Sequence, residues 1–202
     1  AGADFTSSSN DTNLQFGTGL SGAASTRMTL DSNGDLSIEA GSLVLASGEG
    51  IDFSATSDLA GASAEKLDDY EEGTYTVTLT PSTSGSIGVN TSFDLASYTK
   101  IGRVVHVTGS IVSSSPSSPV GGVNVSLPFA AVNLTDEAGD FAGTVTCTST
   151  ASANVADVIS FGSEGDSFIG MFLGDNVNPQ ADLANEFSGN ETLHLSITYF
   201  TS

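Results

Sequence analysis

The chain has 202 residues, and its strongly acidic composition excludes several classes of partner. It carries 24 Asp and Glu residues against four Lys and Arg, which gives a formal net charge of −20. Nucleic acids and anionic membrane surfaces attract basic proteins, so neither is an expected partner. The charge suits a repetitive particle whose like-charged copies repel one another, with adaptation to high salt as the alternative explanation.

The composition also indicates an all-β fold. Glycine contributes 23 residues, turn-forming polar residues are abundant, and runs of the residues that favour helices are rare. No segment shows a sustained apolar period of 3.6 residues. No apolar run approaches the roughly 18 residues of a membrane helix and no signal peptide is visible, so membrane insertion is not expected.

Residues 1–66 contain short apolar pairs at alternating positions, separated by turn formers. The pairs are Leu14/Phe16, Met28/Leu30, Leu36/Ile38, Leu43/Leu45 and Ile51/Phe53. Each pair places two side chains on one face of a short strand, and a single chain has nothing to cover that face. Repeating units of this kind must stack or associate. We therefore expect an intertwined trimeric β-fibre over residues 1–66, with a disordered tail as the alternative.

From residue 67 the chain becomes richer in apolar residues, with 37 Leu, Ile, Val and Phe among 136 residues. The final segment alternates most clearly, since Leu193, Leu195, Ile197 and Tyr199 share one face of a strand. About eight strands in residues 67–202 predict an antiparallel β-sandwich that is jelly-roll-like. The predicted strands cover residues 74–80, 92–99, 103–112, 123–127, 141–148, 155–161, 167–173 and 192–200.

Two long polar segments, residues 113–121 and 174–190, are predicted loops. Long loops on a rigid sandwich are common places for binding residues. The second loop is rich in side-chain amides and carboxylates, which suit sugar hydroxyls. Alternatively, the second loop packs against a neighbouring subunit through Leu183 and Phe187. The receptor contact then lies on the first loop, residues 113–121. The predicted receptor-binding residues are Asp175, Asn176, Asn178, Asp182, Asn185 and Glu186.

Two acidic segments are candidates for cation binding. The segment Asp31-Ser-Asn-Gly-Asp35 imitates the start of a calcium loop, but Ser42 stands where the twelfth ligand is needed. A tight turn with Asn-Gly at its corner is the better interpretation. The second segment is either a solvated linker or, in a trimer, a cation site at the axis. It consists of Asp68, Asp69, Glu71 and Glu72.

Signals for catalysis are weak. His106 and His194 lie on the polar faces of predicted strands, but two histidines without a third ligand make a poor metal site. Cys147, the one cysteine, is expected to be a small apolar filler. Paired carboxylates can hydrolyse glycans, yet Trp is absent and nucleophile-elbow or zinc-protease motifs are missing. We expect no enzyme activity, no cofactor and no metal.

Several segments carry motifs beyond the apolar alternation of short strands. Arg27–Leu36 is similar to a strand-turn-strand repeat in the distal fibre and spike proteins of tailed bacteriophages. Leu67-Asp-Asp-Tyr-Glu-Glu-Gly-Thr-Tyr75, preceded by residues 51–56, resembles the junction before a C-terminal fibre domain, with Tyr75 where the family often has Trp. Further segments similar to strands of that domain are Tyr98–Val105, Ser126–Phe129 and Leu193–Phe200.

The resemblance covers roughly residues 27–202 and implies a homotrimeric virion protein on the surface of a tail or head. It implies attachment to other virion proteins through the N-terminal end and contact with a host-surface glycan or protein. It implies no enzyme in this segment. Two other functions stay open, a depolymerase tailspike that acts on surface glycans and a cellular carbohydrate-binding adhesin module.

Overall fold

The computed structural model describes residues 12–53, 66–67, 69–136, 138–148, 158–174 and 183–202. The chain divides between Glu49 and Gly50 into two compact units. The predicted division after residue 66 rests on composition and stays a prediction.

The N-terminal unit is a small antiparallel sheet of three strands. They are β1 (Leu14–Thr18), β2 (Ser25–Leu30) and β3 (Leu36–Ile38), in the spatial order β1-β2-β3. The turn between β2 and β3 is closed by Asp31, whose Oδ1 accepts hydrogen bonds from the backbone N–H groups of Asn33 and Asp35, both at 2.9 Å. This geometry is the tight turn predicted for the segment.

One face of this three-stranded sheet is apolar. Cross-strand partners share a face of a sheet, and the register pairs Leu14 with Leu30, Phe16 with Met28, Met28 with Ile38, and Leu30 with Leu36. Five of the six side chains are 39–59% exposed, because the single chain offers nothing to cover them. We call this set the stalk face: Leu14, Phe16, Met28, Leu30, Leu36 and Ile38.

The later apolar pairs follow the prediction less closely. Leu43 and Leu45 lie outside strands and are exposed, so the strand predicted there is wrong for the single chain. Ile51 begins the short strand β4 (Ile51–Asp52), which pairs with β5 (Lys66–Leu67), and Phe53 lies just beyond the end of β4. A strand needs a hydrogen-bonded neighbour, and none is paired with the segment around Leu43.

The C-terminal unit consists mainly of one large antiparallel sheet, so the all-β prediction is confirmed. In the part of the chain that the structure describes, the one helix is a 3-10 turn at Leu183–Glu186, and no helix there has the length and apolarity to cross a membrane. The strands are β6 (Tyr70–Thr76), β7 (Leu79–Pro81), β8 (Ser84–Val89), β9 (Leu95–Ile101), β10 (Val104–Val120), β11 (Val123–Ser126), β12 (Phe141–Ala142), β13 (Thr144–Thr148), β14 (Val158–Gly162), β15 (Phe168–Leu173) and β16 (Thr192–Phe200).

The long strand β10 joins the two halves of this sheet. Its first part lies between β9 and β16, and its second part pairs with β8. One half has the order β6-β9-β10-β16-β13, and the other runs β12-β14-β15-β11-β7-β8. Both halves line a single hydrophobic core, with Val107 and Ile197 from the first half and Val125 and Met171 from the second. A sandwich is consistent with this arrangement.

The strongest strand prediction matches the structure. The strand β16 has the predicted bounds, and Leu193, Leu195, Ile197 and Tyr199 are buried while the alternate residues face outward. Cys147 packs against the core as expected, and burial raises the pKa of its thiol to about 12, with the charge of Glu191 as a lesser cause.

The loop predicted over residues 113–121 is wrong. Most of it, through Val120, is the second part of β10, which pairs with the unpredicted strand β8 through register irregularities near Ser114 and Ser117. Apolar alternation does not predict this pairing, because the two strands are held together by close backbone contacts and not by apolar side chains. Gly85 has φ +84°, and a Cβ there would stand 2.2 Å from the Ser118 carbonyl oxygen.

Candidate functional site

The predicted receptor-binding loop is described only in its second part. Asp175, Asn176, Asn178 and Asp182 lie outside the described residues. Of the other two predicted residues, Asn185 is exposed and Glu186 is partly exposed, both on the 3-10 turn.

The described part of this loop is anchored in the core of its own chain. Leu183, Ala184 and Phe187 are buried and belong to the hydrophobic core. The Ala184 N–H also donates to the Gly121 carbonyl at 2.8 Å. The alternative in which Leu183 and Phe187 pack against a neighbouring subunit is therefore wrong, although both residues were correctly recognised as anchors.

A buried carboxylate fastens the end of the loop to β10. Glu191 has no exposed surface, and its Oε1 accepts from the backbone N–H and the hydroxyl of Ser188, both at 2.8 Å. Its Oε2 accepts from the Gly189 N–H at 2.9 Å and from the Ser113 hydroxyl. The Ser113 oxygen in turn accepts from the backbone N–H groups of Asn190 and Glu191 at 3.1 and 3.0 Å. This network closes the loop against the sheet.

The same network sets the ionisation of Glu191. Burial alone would raise the pKa of the carboxyl, but the hydrogen bonds from Ser113 and Ser188 favour the charged form, and the net result is a lowered pKa. A buried anion is thus stabilised by donors rather than by a cation. Sequence analysis missed this residue, because an acid in an acidic chain is normally exposed.

A second concave surface lies at one end of the large sheet. It is a cleft of about 400 Å³ between the ends of β10 and β16 and the segment before β12. Arg103 is its one basic side chain, and the Nε of that residue donates to the Thr201 carbonyl at 3.1 Å. Two phenylalanine rings and Asp140 face the same space. The lining residues are Arg103, Val132, Leu134, Ala138, Gly139, Asp140, Phe141 and Phe200.

Carboxylates hold the wall of this cleft. The Oε2 of Glu164 accepts from the backbone N–H groups of Leu134 and Gly139, both at 3.1 Å. The Oδ1 of Asp140 accepts from the Glu164 N–H at 3.1 Å. Arginine can form paired hydrogen bonds to an anion and phenylalanine can stack on a sugar ring, so the cleft has the chemistry for a small polar ligand. Arg103 is one of four Lys and Arg residues in the chain, and this rarity is the sequence feature that could have pointed to the cleft.

The predicted acidic patch is engaged within the chain. Asp69 forms an ion pair with the buried Lys100, Glu71 accepts from the Tyr98 hydroxyl, and Glu72 accepts from a neighbouring tyrosine at 2.8 Å. The last two carboxylates lie in strand β6, so their assignment to a linker is wrong. Asp68, the fourth residue of the acidic patch, lies outside the described residues.

The two histidines do not form a common site. His106 lies opposite Thr198, and its Nδ1 is 2.8 Å from that hydroxyl, whereas His194 lies opposite Ser110. Four positions along the strand separate the two pairs, which is roughly 13 Å. The suggestion that the histidines are neighbours is wrong. Within the described ranges, no group of three or more His, Cys, Asp or Glu residues is placed to hold a metal ion.

Comparison with known proteins finds little that resembles the chain. No protein-family model matches it, and no curated protein matches it. A structural similarity is found to the crystal structure of the Dettilon tailspike protein, with 20% sequence identity and a TM-score of 0.48. The match covers 65% of this chain and 24% of the tailspike chain, so the chain spans about a quarter of that protein's length.

Proposed function

We propose that the chain is part of a trimeric fibre on the surface of a tailed-bacteriophage particle and that it attaches the particle to its host. The sequence resemblance at the junction of residues 67–75 and in the later strands supports the virion assignment. The fibre attaches to other virion proteins through its N-terminal end. In this trimer, residues 1–66 of the three copies form the stalk, and each copy contributes one jelly-roll-like sandwich.

The observation that carries this proposal is the stalk face. Six apolar side chains stand in register on one face of three short strands, and five of them are 39–59% exposed. Burying apolar area gains about 25 cal/mol for each Å² removed from water. Three copies wrapped about one axis bury all three faces at once, whereas one copy leaves its face exposed. The stalk face therefore favours association of several copies, and the resemblance to phage fibres implies that there are three.

The receptor contact is placed on the loop that contains Asp175, Asn176, Asn178, Asp182, Asn185 and Glu186. The buried Leu183 and the hydrogen bonds of Glu191 support this placement for Asn185 and Glu186, because a rigid support holds binding residues in position. Amide and carboxylate groups of this kind bind sugar hydroxyls. A trimer presents three such loops, so weak single contacts add up to firm attachment.

The proposed role is binding without catalysis. Glycan hydrolysis needs two carboxylates facing one substrate, whereas the two carboxylates at the cleft, Asp140 and Glu164, accept hydrogen bonds from backbone N–H groups of its wall. A purified chain that shortens host-surface polysaccharide would contradict this proposal and favour the depolymerase function.

The attachment role is tested by competition. Purified chain added in excess should slow adsorption of the virus that carries it, because free copies occupy the receptors. Replacing Asp175, Asn176 and Asn178 together with alanine should abolish most of this inhibition while leaving the oligomeric state unchanged.

A matched control replaces the exposed residues Thr78 and Thr80, which lie outside the loop, with alanine. The control should inhibit as well as the unchanged chain. Equal inhibition by all variants would move the contact away from the 175–186 loop. Absence of inhibition by the unchanged chain would contradict the attachment role itself.

A further inference from the structure

An apolar row crosses the outward face of the large sheet at one end. The register places Tyr70 beside Ile101, Ile101 beside Val104, and Val104 beside Phe200. Cross-strand partners lie on the same face, so the four side chains form a continuous line over strands β6, β9, β10 and β16. They are 64%, 50%, 38% and 57% exposed, respectively. We call these four residues the outer row.

The face that carries the outer row is nearly free of charge. On the outward positions of β6, β9, β10, β16 and β13, Glu72 is the one acidic side chain among the described residues, and no Lys or Arg is present. The remaining side chains on this face are chiefly Ser and Thr, with both histidines. The other acidic residues that the structure describes therefore lie off these outward positions.

We infer that the outer row packs against a second copy of this chain. Two copies that each carry a net charge of −20 repel one another wherever their acidic surfaces meet. The uncharged face avoids this repulsion, and its apolar row gains free energy when water is removed. A basic partner would instead be expected to bind an acidic surface, which this face is not.

The position of the outer row in the chain supports the same occupant. Tyr70 follows Leu67 by three residues, which is at most about 11 Å of chain. Leu67 pairs with Ile51 in the β4–β5 ladder, and both side chains are exposed. The inference rests on the proposed trimer: if Ile51 and Leu67 of the three copies meet at an axis, the short chain from Leu67 keeps Tyr70 of each copy near that axis.

The test compares Ile101→Glu with Ile159→Glu in the full chain by sedimentation over a range of concentrations. Both isoleucines are exposed and lie in strands, but Ile159 is in β14, away from the outer row. A glutamate buried between copies is costly, so Ile101→Glu should raise the concentration of half-dissociation by about tenfold or more. Ile159→Glu should leave it unchanged. Circular dichroism should show the same β content in both variants.

A second measurement covers the case in which the stalk alone keeps the trimer intact. Hydroxyl-radical labelling of the unchanged trimer should modify Tyr70 and Phe200 several-fold more slowly than Phe93, which is 52% exposed and lies outside the outer row. The inference is overturned if Tyr70 and Phe200 react as fast as Phe93 in the trimer and Ile101→Glu behaves like Ile159→Glu. The proposed function stands in that case. A monomer of the unchanged chain overturns both.

Discussion

At the scale of single residues, Glu191 shows how an acidic chain uses one of its carboxylates for structure. Its side chain accepts four hydrogen bonds from donors on the loop and on β10. Removal of such an acceptor leaves buried donors without partners, which costs more than the hydrogen bonds themselves contribute. The segment Ser188–Gly189 therefore depends on Glu191 for its position.

The change Glu191→Gln should lower the free energy of unfolding by about 2–4 kcal/mol, because an amide cannot accept all of these hydrogen bonds. The measurement is urea denaturation at pH 7. Glu186→Gln, in the same loop but partly exposed, is the control and should change stability by less than about 0.5 kcal/mol.

The unchanged protein should also lose stability in acid through Glu191. Its folded-state pKa lies below the usual 4.5, so the stabilisation is complete above about pH 4.5 and is lost as the pH falls toward the lowered value. Glu191→Gln should remove this part of the pH dependence. An identical decline in stability between pH 5 and pH 3 for both proteins would contradict the assignment.

At the scale of elements, apolar alternation predicted the strands that line the core and failed where backbone contacts dominate. The bounds of β16 were predicted correctly because every second residue is large and apolar. The second part of β10 and its partner β8 were missed, because Ser, Gly and Pro carry no alternation. Ser115 and Ser118 there have positive φ angles of 41° and 44°, which is typical of an irregular strand.

The candidate site was predictable to a similar extent. The core anchors Leu183 and Phe187 were recognised from their apolar character within a polar loop. Their burial in the same chain was not predictable, because the sequence does not reveal which surface an anchor meets. The cleft is formed by segments that are distant in sequence, so it could be recognised only from the structure.

The stalk face makes a prediction at the element scale. Leu36→Asp should dissociate the assembly, because three carboxylates would be buried near one another at a cost of about 2–5 kcal/mol each. Ser37→Asp is the matched control, since Ser37 pairs with Thr29 and lies on the opposite face. Native mass spectrometry should find mainly monomer for Leu36→Asp and an intact assembly for Ser37→Asp. Similar masses for the two variants would show that the stalk face is not the contact.

At the scale of the whole molecule, the charge and the apolar surfaces have complementary roles. The net charge of −20 makes copies of the chain repel one another in solution. The stalk face and the outer row are apolar areas at which copies can associate without bringing acidic surfaces together. This distribution favours a closed assembly of defined size over open aggregation, because the apolar areas are used up within the assembly.

The most direct test of this account is the native mass of the chain in solution. Light scattering after size-exclusion chromatography should give about three times 20.3 kDa at micromolar concentration, with a single symmetric peak. A folded, monodisperse species of 20.3 kDa would contradict the account, because the stalk face would then be stable while exposed to water.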